Sequence, residues 1–401
     1  MWQRKSAFDA PYTGPHSLRP ERERSYSFTG TLSFGMRPWR DGELYFDPEI
    51  AQGVPLSGLT GLGGFTNGEI ARTSGQSPKL YRARAFLRQT WGFGGGSQRV
   101  DAEMNQLAGT ADRRRVVLTA GNLAVLDIFD DNAYSHDPRT QFLNWSLMTH
   151  GAFDYAADAR GYSWGAALEG YYDDWTLRAG RFAQPRQPNQ MSLDPKLFSH
   201  YGDQLELEHR HEIGGRQGAV RVLAFRNRAR MASYADALDA AAVTGGTPDL
   251  NAVRDGEKTK TGYGVNLEQS LSSELGAFFR ASRGDGRTET YAFTEIDRSV
   301  SGGVLLKGTA WKRGEDTLGL GAARNGLSDS HRDYLAAGGL GFFLGDGQLN
   351  YRPEQIVEAF YSIAVTKGFS LAVDFQRIAN PGYNADRGPA RVASLRVHAE
   401  F

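Results

Sequence analysis

The sequence predicts an all-β fold, a closed antiparallel transmembrane β-barrel of about 16 strands, within a range of roughly 14–18. Three observations predict it. Residues 392–401 set Ala393, Leu395, Val397, Ala399 and Phe401 on one face of a strand and Ser394, Arg396, His398 and Glu400 on the other. Side chains of a strand alternate faces with period two, so this segment has an apolar and a polar face. Ending on an aromatic of the apolar face fits the closing strand of an outer-membrane barrel. Alternating segments of the same kind recur along all 401 residues. The composition, with 49 Gly, 22 Phe, 17 Tyr and 7 Trp, supplies turns and interfacial aromatic girdles. Mean hydropathy is −0.49, and no apolar run approaches the roughly 18 residues of a membrane helix. A barrel evades that test because each strand needs only about 10 residues and shows lipid just one of its faces.

The expected strands run in order over 26–34, 81–88, 98–106, 116–124, 162–170, 175–182, 205–210, 219–226, 263–268 and 275–282. They continue over 302–312, 316–323, 335–344, 357–365, 369–375 and 392–401. In the first, Tyr26, Phe28, Leu32 and Phe34 oppose Ser25, Ser27, Thr29, Thr31 and Ser33. In the second, Arg82, Arg84, Phe86 and Arg88 oppose Tyr81, Ala83, Ala85 and Leu87. Short linkers such as Tyr172-Asp173-Asp174 and Thr366-Lys367-Gly368 read as tight turns. Long connections are expected at 36–79, 126–160, 184–202 and 231–258, the last holding a short Ala-rich helix at 235–242. A barrel of this size encloses more space than side chains fill, so a water-filled channel follows, and long connections can fold inward to narrow it. The organisation expected is a single domain over 1–401, with a periplasmic N-terminal segment at 1–24 and the barrel at 25–401.

Net charge is zero, from 46 basic and 46 acidic residues, which argues against a nucleic-acid partner. The absence of cysteine is compatible with an oxidising compartment in which no disulfide framework is used. Met1-Trp2-Gln3-Arg4-Lys5 does not open a signal peptide, so the barrel reading implies a processed chain whose Met1 is an added start residue.

Arg82, Arg84 and Arg88, with Arg115 at the end of Arg113-Arg114-Arg115, are candidate pore-lining groups. Arginine is a planar multiple donor that suits sugar hydroxyls and also sets anion preference. Asp101 and Glu103 could pair with them, and a ladder of salt bridges stiffening the wall is the plainer alternative. Asp127, Asp130, Asp131, Asn132 and Asp137 could offer oxygens to Ca²⁺, although the spacing is not that of an EF-hand. A packing or constriction loop with Asx turns is the simpler reading, and no other cofactor is implied. His209 and His211 read as polar lumen residues without a third metal ligand. Gly92-Phe93-Gly94-Gly95-Gly96-Ser97 lacks the ending of a P-loop, and no catalytic cluster stands out, so no enzymatic activity is expected.

Several stretches together resemble the carbohydrate-selective outer-membrane porin family (OprB-type). They are Tyr45-Phe46-Asp47-Pro48-Glu49, Arg84-Ala85-Phe86-Leu87-Arg88-Gln89-Thr90, Asp127-Ile128-Phe129-Asp130-Asp131-Asn132 and Gln141-Phe142-Leu143-Asn144-Trp145. Later come Gly345-Asp346-Gly347-Gln348-Leu349-Asn350-Tyr351, Glu358-Ala359-Phe360-Tyr361, and Asn380-Pro381-Gly382-Tyr383-Asn384 with Arg387-Gly388-Pro389. The resemblance implies a sixteen-stranded barrel of a Gram-negative outer membrane, passing monosaccharides such as glucose by passive diffusion. It also implies arginines and an acidic residue at a loop constriction, carried over to Arg82, Arg84, Arg88 and Glu103. Asp131 and Asn132 are further pore-lining candidates, and Phe86 and Tyr134 are candidate aromatic contacts for a sugar ring. Expected partners are mono- or small oligosaccharides, outer-membrane lipid and lipopolysaccharide, and the barrel-assembly machinery. The rival readings are an exopolysaccharide export pore, which would want a lumen of one charge sign, an enzyme at the barrel rim, and a soluble β protein.

Overall fold

The computed structural model describes residues 1–70 and 75–401. Its strands are β1 (Trp2–Lys5), β2 (Glu23–Thr31), β3 (Phe34–Trp39), β4 (Gly42–Val54), β5 (Lys79–Gly92), β6 (Ser97–Val100) and β7 (Gly109–Asp112). Then follow β8 (Arg115–Leu123), β9 (Ser163–Tyr172), β10 (Trp175–Ala183), β11 (Tyr201–Ile213), β12 (Arg216–Arg230) and β13 (Glu257–Ser270). The last are β14 (Leu275–Gly284), β15 (Arg298–Gly308), β16 (Arg313–Gly326), β17 (Glu354–Thr366), β18 (Phe369–Ala379) and β19 (Ala390–Ala399). Three α-helices lie in connections: α1 (Trp145–Met148), α2 (Tyr234–Thr244) and α3 (Asp329–Ala336).

One antiparallel sheet contains 17 of these strands. β2 and β3 lie end to end against β4, with Thr31 opposite Glu49 and Phe34 opposite Phe46. Counting that pair as one stave gives a wall of 16. It closes through β1, whose Trp2 faces Leu395 of β19 on one side and Tyr26 of β2 on the other. Closure leaves no sheet edge unpaired, which a membrane requires of a strand-built structure.

The alternation read from sequence becomes an inside and an outside. On β19, Leu395 and Val397 are exposed outward while Ser394 and Arg396 are buried inward. β6 and β7 form a separate hairpin within the connection from β5 to β8. The expected strand 98–106 is therefore not part of the wall. Nor is 335–344, where Leu335 ends a helix and Phe343 and Leu344 pack in the cores of the connections. Leu340, Phe342 and Leu344 fall at every second position there, a spacing that imitates a strand. Two wall staves went unread: β1, too short for a period, and β4, where Pro48 interrupts the alternation. The errors offset, so the expected count and the observed count agree.

Residues 2–5, expected in a segment before the barrel, belong to its wall. Residues 6–22 then cross the end bearing the long connections, where Gly388 N–H donates to the Asp9 carbonyl and His16 N–H to that of Gly345. The opposite end carries tight turns. Gly214 and Gly215 join β11 to β12 with φ of 59° and 76°, the doubly positive geometry that matches the twist of a hairpin and favours glycine.

Candidate functional site

The lumen is built from inward residues of the wall and from the connection 124–162 between β8 and β9. That connection leaves β8 and docks against distant staves through buried polar groups. Asp130 accepts from Arg280 Nε at 2.9 Å, Asn266 Nδ2 at 2.6 Å, Thr149 Oγ1 at 2.5 Å and His150 N–H at 2.6 Å. Its own N–H donates to Glu206 at 2.8 Å. Farther along, Leu143 and Asn144 N–H groups donate to Glu358 of β17 at 2.6 and 2.9 Å. Asn144 caps α1 by accepting from Ser146 N–H at 3.0 Å, and Trp145 stacks on Phe293 at 5.3 Å. Inward carboxylates thus serve as docking points for loop N–H groups that the connection cannot satisfy itself. Glu354 does the same for Gly63, Gly64 and Gly382.

Electrostatics follow from this burial. Desolvation alone would raise the Asp130 carboxyl, but the Arg280 guanidinium and the donors of Thr149 and His150 hold it well below the ordinary carboxylate value. His150, 1 % exposed, is pushed down to about 4, chiefly by desolvation, so its ring is neutral at pH 7. The ring fills the space over Gly264 of β13, where an added Cβ would lie 2.6 Å from it.

The expected site residues divide by position. Arg84 points inward and grips Asp127 with two parallel bonds, Nε at 2.7 Å and Nη2 at 2.6 Å, with Asp47 3.7 Å away. Phe86 is inward but buried, stacked on Tyr45 at 5.0 Å. Arg88 is inward, donating to the Asn105 carbonyl at 2.7 Å and lying 3.8 Å from Glu43. Arg115 lies 3.7 Å over the Tyr171 ring. Asp131 is exposed and sits 3.7 Å from Arg221. Asn132 is buried, bonded to Asn266 at 2.7 Å and accepting from the Tyr134 and Ser135 N–H groups. Tyr134 is half-buried, its ring in the space where a Cβ on Gly276 would stand.

Arg82 does not join them. It lies across the exposed Trp164 at 5.0 Å on the outer face, beside a cleft of about 570 Å³ shared with Arg160 and Met191. The cause is a bulge: Asp47 pairs with Arg84 but Pro48 pairs with Arg82, so Ala83 is an extra residue that reverses the facing of what precedes it. Glu103 is exposed in the turn joining β6 to β7, bonded backbone to backbone with Gln106; no arginine pairs with it among the described residues. Asp101 pairs with Arg99 instead, at 2.8 Å. His209 faces outward, its ring 4.3 Å from the exposed Trp175, and His211 shares that parity.

The carboxylates considered for Ca²⁺ turn to different partners: Asp127 to Arg84, Asp130 to Arg280, and Asp137 to Thr140 Oγ1. No cluster of three metal-ligating side chains occurs among the described residues.

Sequence reasoning passed over a second ladder. Arg178 of β10 contacts Glu169, Glu206 and Glu208 at 2.9–3.2 Å, and Arg221 of β12 contacts Glu208 at 2.7 Å and Glu268 at 3.2 Å. Arg139 bridges Glu49 and Glu69 at 3.1 and 3.0 Å. Inward parity on β11, where Glu206 and Glu208 alternate with Leu205 and Leu207, was the available signal.

A closed barrel with an apolar outer face, an ionic inner face and a connection docked inside it defines an integral outer-membrane β-barrel channel, a porin. A family model described as carbohydrate-selective porin, OprB family, matches residues 18–401. The chain belongs to that family of outer-membrane porins. Among solved structures, Pseudomonas putida OprB at high pH is similar with a TM-score of 0.75 and 16% identity, covering 100% of this chain and 93% of that one. The low-pH structure of the same protein gives 0.52 and 13%, covering 100% and 90%. The outer-membrane channel DcaP of Acinetobacter baumannii gives 0.54 and 11%, covering 100% and 94%. At these identities the likeness concerns the fold. No curated protein matches significantly.

Proposed function

We propose that this porin passes monosaccharides such as glucose, and small oligosaccharides, by facilitated passive diffusion through a pore narrowed by the connection 124–162. The observation that carries the reading is the charge arrangement inside. Arg84, Arg139, Arg178 and Arg221 each hold carboxylate partners, so the lumen offers many donors and acceptors without a field of one sign. A neutral polyol can exchange hydrogen bonds with such a surface, whereas a charged polymer would be better served by a single-signed lumen. This disfavours the export pore. The water-exposed Asp127 and Asp131 would meet ring hydroxyls, and the half-buried Tyr134 would meet an apolar ring face.

Binding has to be weak, because a conducting site must release what it holds. Millimolar affinity, about −4 kcal/mol, suits that requirement. Passive diffusion needs neither an energy source nor a catalytic step. The test is planar-bilayer conductance with sugars titrated against the ion current. Block by glucose-sized sugars at millimolar concentration is expected; open channels indifferent to every sugar would refute the reading.

A further inference from the structure

The outer surface has an asymmetry that sugar passage does not use. At the tight-turn end the outward residues bordering the apolar belt are aromatic, among them Trp91, Tyr172 and Trp175. At the end carrying the long connections exposed arginines border the belt, alongside the aromatics Trp164 and Tyr263. Across the closing seam, β18, β19, β1 and β2 are neighbours, and each places one exposed arginine outward: Arg377, Arg391, Arg4 and Arg24. Arg377 stands directly opposite Arg391, and Arg4 directly opposite Arg24. On the far side of the barrel Arg283 of β14 likewise faces Arg298 of β15.

Like charges directly opposite on a sheet repel, so three such pairs call for a counter-charge. The protein does not provide it. Among the described residues no carboxylate lies within ion-pair reach of Arg4, Arg24, Arg283, Arg377 or Arg391, and Arg298 meets only Asp329, at 3.8 Å. Arg377 and Arg391 share one register level and Arg4 and Arg24 the next, with Arg4 opposite Ala393, two residues along β19 from Arg391. Phe28, Phe375 and Leu395, exposed and lipid-facing, precede or follow them by two or four residues on the same strands, a rise of roughly 7–14 Å. That is the step from acyl chain to headgroup.

We infer that the seam arginines Arg4, Arg24, Arg377 and Arg391 form a binding patch for the phosphates of an anionic lipid in the leaflet around the long-connection end, of the phosphorylated glycolipid (lipid A) class. Guanidinium binds phosphate through paired, charge-assisted hydrogen bonds, and four on adjacent strands, about 4.8 Å apart per strand, span a diphosphorylated headgroup. The inference rests on the outer-membrane placement of the barrel and not on its sugar preference.

The test uses the full chain in detergent, with lipid A and its enzymatically dephosphorylated form titrated and bound lipid counted by native mass spectrometry. The parent should bind the phosphorylated form at least tenfold more tightly, and more weakly as salt rises from 0.05 to 0.5 M (about a threefold shorter screening length). Replacing all four arginines by glutamine should abolish that preference, while Arg99→Gln on the β6–β7 hairpin, an exposed arginine already paired with Asp101, should retain it. Equal binding of the two lipid forms, indifference to salt, or a fourfold variant that still prefers the phosphorylated form would overturn the inference. So would equal capture of heparin, which would mark a general polyanion surface. If the fourfold variant fails to fold, the dephosphorylation and salt arms on the parent decide alone. Conductance and sugar block should be unchanged in the variant, which keeps this outcome separate from the fate of the sugar-pore reading.

Discussion

Replacing Asp130 with alanine removes the group that ties the inward connection to the far wall. Four hydrogen bonds end on its side chain, from Arg280, Asn266, Thr149 and the His150 N–H. The ion pair is sealed, with Arg280 and Asp130 side chains 1% and 0% exposed. Removing one partner of such a pair typically costs about 3–5 kcal/mol, because the other charge stays buried and uncompensated. Arg280 keeps its bond to the Leu147 carbonyl, which places the expected cost near the lower figure, about 3 kcal/mol. The wall should not feel this, since its cohesion resides in the closed ladder of strands. The cost should fall on the docking of 124–150, raising local opening by on the order of 10²-fold. Hydrogen exchange in lipid or detergent reads this directly, through the amides of His150, Leu143 and Asn144, and single-channel recordings should gain noise. Asp130→Asn, close in shape but neutral, should lose most of the same protection. Unchanged protection at these amides in both variants would refute the view that Asp130 holds the connection in place.

Other consequences are simpler. Arg84→Ala with Arg88→Ala leaves Asp127 and Asp47 without their guanidinium partner and Glu43 with Arg37 alone, so ion preference should shift toward cations and conductance should change; identical reversal potentials would place both arginines outside the conducting path. His150 is buried in its neutral form with its value pushed down to about 4, against about 6.5 when unfolded. The folded state resists protonation, so docking of the connection is strongest above pH 6.5. It should weaken progressively between 6.5 and 4, by about 3 kcal/mol over the full window. His150→Phe should flatten that dependence in hydrogen exchange, and an equally steep profile in the variant would exclude His150 as its source. Gly276→Ala should push the Tyr134 ring off the wall into the lumen and lower single-channel conductance, since the new Cβ would stand within 1.9 Å of that ring.

The barrel was legible because its signal is local. Period-two alternation needs no knowledge of the partner strand, so fourteen of the sixteen staves could be read from segments such as 369–375 and 392–401, and ordered motifs supplied the family. The site was legible only in part, because its facing and its contacts are not local. One extra residue at Ala83 turns Arg82 outward while Arg84 and Arg88 stay inward, and no alternation pattern announces a bulge. Asp130 and Arg280 lie 150 residues apart, and nothing in either neighbourhood names the other. The seam arginines are the extreme case: Arg4 and Arg391 belong to opposite ends of the chain and become neighbours through barrel closure.

The sequence by itself determined a membrane barrel of this size, with a polar interior, an apolar exterior and several long connections, since each follows from which residue types alternate and how far apart the turns lie. Tertiary structure decided which arginine faces water and which faces lipid, which carboxylates clamp a loop and which remain wet, and where unpaired charge gathers on the outer surface. Those outcomes depend on register and closure, which bring together groups separated by up to the whole chain, and pairing at that range is set by the global packing of the wall.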